Sequence, residues 1–185
     1  MAHFAERYSL FVIICLGESI VAIGVGAAGE PLKAALLAAV SFGLLITIAL
    51  WWTYFDRFAE AAETRLSEHD DPVLAAADAY SYLHLMLVAG IIVFAVGGRF
   101  IVHDASATLP DAARLTLCGG VALYLLGHLA VRWRLLETVA YGKAVAAALV
   151  MVVYAVGGGL RGWVLAGVIA VLLIAMCGAE GARER

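Results

Sequence analysis

The chain has 185 residues, of which 64% are hydrophobic, with a mean hydropathy of +0.97 and a formal charge of −3. A water-soluble domain of that size cannot bury so much apolar side chain. The composition therefore points to a multi-pass membrane protein, an all-α helix bundle whose first partner is the lipid bilayer. Twelve Lys and Arg stand against 15 Asp and Glu, mostly at the ends of apolar runs, which argues against a nucleic-acid partner.

Six spans of membrane length follow in chain order: 8–29, 32–55, 79–98, 112–131, 139–159 and 162–179. Together they make one integral membrane domain over 1–185; five spans is the alternative. The fourth and sixth are the shortest, and the fifth and sixth join through the tight turn Gly157-Gly158-Gly159-Leu160-Arg161. No charged-then-apolar leader with a small-residue cleavage site precedes the first span. The three cysteines (Cys15, Cys118, Cys177) lie far apart inside apolar runs, a spacing that suggests packing and neither a disulfide nor a metal site.

Orientation follows from the basic residues. Arg7, Arg57, Arg65, Arg132, Arg134, Lys143, Arg183 and Arg185 share the side that carries both termini; Lys33, Arg99, Arg114 and Arg161 lie opposite. Eight against four predicts cytoplasmic termini in the bacterial inner membrane. Trp51, Trp52, Tyr54, Phe55 and Phe58 form an interfacial girdle on that side, and Trp163 does the same on the other. The longest polar connection, Asp56 to Asp78, has helical spacing in its first part. It either lies along the interface or extends the second helix into the cytoplasm. Small residues recur every four positions at Ala35, Ala39 and Gly43, at Ala140, Ala144 and Ala148, and at Gly158 and Gly162, which are candidate helix-packing faces.

Glu18 stands out. It is the only charged residue between Arg7 and Glu30, near the middle of the first span. A carboxylate at that depth costs about 2.5–3.5 kcal/mol on insertion scales, so a functional role is the default expectation. Its neighbours three and four positions away are apolar or Cys15. Arg7 shares its face but lies about 16 Å away at 1.5 Å per residue. Glu18 must therefore find a donor on another helix, reach a hydrated cavity, or stay protonated. The other candidates for a solute or ion pathway are His84, His3, Glu6, Arg7, Asp56, Arg57, Tyr80 and Lys143, with His128 nearby. His84 is the expected donor to Glu18 by depth and Lys143 the next. The whole set outlines a polar vestibule opening to the cytoplasm. The plainer alternative stays open for each: a packing role for Glu18, His84 and His128, a snorkelling interface position for Lys143, and an ordinary charged helix entrance for His3, Glu6 and Arg7.

His3-Phe4-Ala5-Glu6-Arg7-Tyr8, followed by Leu10-Phe11-Val12-Ile13-Ile14 and Leu16-Gly17-Glu18-Ser19, resembles the bacterial low temperature requirement protein A family. Trp51-Trp52-Thr53-Tyr54-Phe55-Asp56-Arg57-Phe58 and Tyr80-Ser81-Tyr82-Leu83-His84-Leu85 fall where that family carries similar elements. The motif resemblance covers about residues 3–100. Family members are about twice this length, so the resemblance implies a C-terminal half or a truncated member. It also implies a missing N-terminal half as protein partner; the alternative is a homo-oligomer, since an isolated six-helix half with polar interior faces often dimerises. It carries a link to growth in the cold and no reaction.

Two function classes remain. The first is a transporter or channel for a small solute or ion that uses the intramembrane carboxylate. The second is a non-transporting membrane sensor, assembly or cold-adaptation factor. An enzyme is not expected, since no nucleophile turn or paired metal-ligand signature occurs. Gly24-Val25-Gly26-Ala27-Ala28-Gly29 matches a dinucleotide-binding pattern but ends a membrane helix instead of following a strand. No spacing requires a metal or haem among His3, His84 and His128, and no cofactor is expected.

Overall fold

Each long apolar run closes as a helix, because backbone N–H and C=O groups in hydrocarbon must be satisfied within their own segment. The computed structural model describes residues 2–55, 83–136 and 140–183. Over these it is helical, with six helices long and apolar enough to cross a membrane. They are α1 (Ala2–Ala27), α2 (Ala34–Phe55), α3 (His84–His103), α4 (Asp111–Leu136), α5 (Tyr141–Val156) and α6 (Gly162–Arg183). Gly29 ends α1 at φ 83°, a left-handed conformation that costs glycine nothing. Asp111 opens α4 and sits favourably against the positive end of the helix dipole. Gly157–Gly159 forms the expected tight turn as one 3₁₀ turn before α6.

The helices close a ring in the order α1, α2, α6, α5, α4, α3 and back to α1, and α3 also reaches α2 and α6 across the middle. The α3–α4 seam is the most intimate. Gly90 and Gly97 on α3 and Gly120 and Gly127 on α4 are each seven residues apart, two helical turns, and so share a face. A methyl group at Gly97 would lie 2.5 Å from Leu117 Cα, and one at Gly90 would lie 2.5 Å from Tyr124 N. The two backbones therefore touch where side chains would normally hold them apart. Tyr54, Tyr124, Phe94, Leu50, Ile91 and Leu117 fill the interior. At the end of the bundle away from Trp51 and Trp52, the α3–α4 connection is pinned to the start of α6, where Gly162 N donates to Ala107 O at 2.9 Å and Trp163 N donates to Ala105 O at 3.3 Å. Large apolar side chains such as Ile14, Leu37, Ile92, Trp133 and Val171 cover the outside, as a lipid-facing surface requires.

Several expectations change. The third span lies at His84–His103, running five residues past the expected end at Gly98. A charge such as Arg99 does not stop a helix whose glycines are locked against Ile23 and Leu117. The fourth and sixth helices, expected to be shortest, have 26 and 22 residues, whereas α5 has 16. Their polar ends extend as helix beyond the apolar stretch. Of the four-residue small faces, Ala39 and Gly43 are buried, with Gly43 against Ile23. Ala148 is exposed and Ala140 precedes α5, so that stripe is not a packing face.

Candidate functional site

Glu18 projects from the outside of the ring and not into its centre. It lines a groove of about 610 Å³ between α1 and α3, together with Cys15 and Ala22 of α1 and Ile92, Ala95, Val96, Arg99, Phe100 and His103 of α3. The reason is helical phase. Val12, Cys15, Leu16, Ser19 and Ile23 form the buried face of α1, and Glu18 falls beside that stripe at its margin. Among the described residues Glu18 makes no hydrogen bond or ion pair. The groove is mostly apolar, with the carboxylate in its lower part and Arg99 and His103 towards the end of α3. His103 Nδ1 lies 3.1 Å from Glu30 Oε1 in the α1–α2 connection, which closes that end.

The proposed donors to Glu18 are engaged elsewhere, which corrects the expected vestibule. His84, buried at the start of α3, shares a hydrogen bond of 2.8 Å between its Nε2 and Tyr54 Oη, and its ring meets that of Tyr8 edge-on at 5.2 Å. Lys143 is buried and not snorkelling; its Nζ donates to Glu180 Oε2 at 2.6 Å, joining α5 to α6. Here the interior does gather polar groups near one end of the bundle. Tyr124 Oη donates to Leu50 O at 2.7 Å, and Thr53 Oγ1 donates to Ala49 O at 2.8 Å and lies 3.7 Å from Cys177 Sγ. His128 is fully buried with its ring 6.5 Å from that of Tyr124. The polar groups thus divide into an outer groove holding Glu18 and an inner cluster holding His84 and His128.

Glu6 and Arg7 are exposed in the first turns of α1. His3 lies in the same helix, while Asp56, Arg57 and Tyr80 fall outside the described residues. The residues that sequence reasoning missed are Arg99, His103, Glu30 and Glu180. Arg99 and His103 lie beyond Gly98, where the run of apolar residues ends, yet the helix continues to His103. Glu180 was available as a carboxylate one helix away from Lys143, but nothing in the chain links positions 37 residues apart. Among the described residues no three His, Cys, Asp or Glu side chains gather as a metal site.

The groove can hold a small or elongated ligand, and its volume lies in the ordinary range for ligand sites. In the inner cluster the Tyr54 hydroxyl and the His84 imidazole lie within hydrogen-bond reach of one another. Comparison with known proteins adds identity to this geometry. The uncharacterized protein RA0937 of Rhizobium meliloti is 35% identical over 126 residues, which is 68% of this chain and 31% of that protein. The chain therefore matches about a third of that relative's length. No solved structure gives a significant match. The profile of the bacterial low temperature requirement A protein family matches residues 1–178, nearly the whole sequence, and the chain belongs to that family.

Proposed function

We propose that this protein is a membrane transporter or channel for a small solute or ion, with Glu18 as the group that binds or carries the charge. The observation that supports it most is a mid-span carboxylate facing an open groove of about 610 Å³ where apolar packing would have sufficed. Arg99 and His103 at the far end of the same groove give it two signs of charge, suited to an ion or a zwitterion. The basic-residue balance supports insertion in the bacterial inner membrane with both termini cytoplasmic. No reaction or cofactor enters this reading.

A second reading, a non-transporting sensor or assembly factor, draws on the same placement. A carboxylate on the outer face of a bundle also suits an anchor for another membrane helix. The test is proton flux into vesicles holding a pH-sensitive dye, with carboxyl infrared difference spectra recorded between about pH 5 and 9. Flux that falls to the protein-free level in Glu18→Gln, with loss of a titrating carboxyl band, is the expected result. Equal flux in wild type and Glu18→Gln, with no titrating band, favours the second reading.

A further inference from the structure

We infer that the α1/α3 groove binds an anionic phospholipid of the surrounding bilayer, with its headgroup on Arg99 and one acyl chain laid along the groove. Arg99 is exposed and makes no ion pair or hydrogen bond among the described residues. It sits in the second-last turn of α3, where a membrane helix meets the headgroup region; His103, one turn later, is held by Glu30 at 3.1 Å, which leaves Arg99 as the cation open to a headgroup. The wall below them is apolar: Phe100, Val96, Ile92 and Ala95 of α3, and Ala22 and Cys15 of α1. From Ile92 to His103 is eleven residues of helix, about 16 Å, enough for most of one acyl chain.

The negative carboxylate does not oppose this placement. Gly26 packs against the Arg99 backbone, with a Cβ there 2.6 Å from Arg99 O, and Glu18 is eight residues below Gly26. That puts Glu18 about 12 Å deeper than the headgroup level. Positive charge at the interface, an apolar trough beneath it and a bilayer around it together match an anionic lipid and not a soluble anion. The consequence for transport, and only that consequence, rests on the reading of Glu18 given above. A lipid chain supplies the open side of the groove with a wall and encloses the path past Glu18.

The experiment is native mass spectrometry of the protein released from nanodiscs of equal parts dioleoyl phosphatidylglycerol and dioleoyl phosphatidylcholine. Phosphatidylglycerol is expected to be retained about fivefold over phosphatidylcholine, the factor one basic residue carries at an anionic surface. Arg99→Gln loses that preference and Arg99→Lys keeps it, while Val96→Trp, which fills the trough, lowers retention of both lipids. Equal retention of the two lipids in wild type overturns the assignment. So does a preference unchanged in Arg99→Gln, or release as a dimer without lipid. Glu18→Gln is expected to keep the lipid preference, so that a failure of the flux experiment and a failure of this one remain separate results.

Discussion

At the scale of single residues, the most informative placement is that of Lys143. Its side chain is 4% exposed and that of Glu180 is 29% exposed, with 2.6 Å between the charged atoms. Taking two charges out of water costs several kcal/mol, which their attraction roughly repays, so the pair is worth little against an apolar replacement but much against removal of one member. Glu180→Gln is expected to destabilise the protein by about 1–3 kcal/mol, less than for a fully enclosed pair because Glu180 still reaches solvent. Lys143→Met combined with Glu180→Met should recover most of that loss. Thermal unfolding in detergent of Glu180→Gln, of Lys143→Met and Glu180→Met singly, and of the double Met variant checks this. A double variant as unstable as the sum of the singles would show that the two side chains act separately. His84 is a further tie across the bundle: its bond to Tyr54 joins α2 to α3 at one end, and interhelical bonds of this kind contribute about 0.6 kcal/mol on average in membranes.

Among the elements, the α3–α4 pair organises the rest. Its four glycines let two backbones meet, and dispersion contacts replace the hydrophobic driving force that lipid removes. Gly97→Val forces a branched side chain onto Leu117 and is expected to cost about 1–3 kcal/mol or more. Gly24→Ala on α1, with nothing within 4 Å of the added methyl, should leave stability unchanged or raise it by about 0.5–1 kcal/mol. Melting temperatures of the two variants in the same detergent separate these outcomes; equal shifts would mean that the seam is looser than its geometry. The opposite end of this pair is fastened by Arg114, whose guanidinium donates to Asp111 at 2.6 Å and stacks 5.2 Å from the Tyr154 ring of α5. Gly158 has no side chain there, and a methyl group would lie 3.2 Å from the Arg114 Nη1.

At the scale of the whole molecule, the six helices of the described residues close a ring whose outside is largely apolar and whose interior becomes polar near one end. The basic-residue bias predicts that end to be cytoplasmic. In a variant with Cys15, Cys118 and Cys177 replaced by Ala, Pro31→Cys in the α1–α2 connection is expected to react with an impermeant maleimide in intact cells. Gly181→Cys, near the end of α6 and with open space around it, should react only after permeabilisation. The reverse pattern would invert the topology and place the inner His84 and His128 cluster on the outer side.

The number and apolar character of the spans were legible in the sequence, because crossing a bilayer demands about 20 apolar residues in a row; their ends were not, because helix continues through polar residues such as Arg99 and Arg132. So was the anomaly of Glu18, since a charge stands out against hydrocarbon by its energy alone. The side of the helix on which Glu18 emerges was not legible. Val12, Leu16 and Ile23 are no more hydrophobic than Leu10, Ile14 and Val21, yet the first three are buried and the others face outward. In lipid both faces of a helix are apolar, so periodicity carries almost no information about which face packs. Partner choice was decided by tertiary structure for the same reason. Lys143 meets Glu180, His84 meets Tyr54, and Arg99 shares a groove with Glu18 only because glycine contacts and ring closure set each helix's depth and rotation.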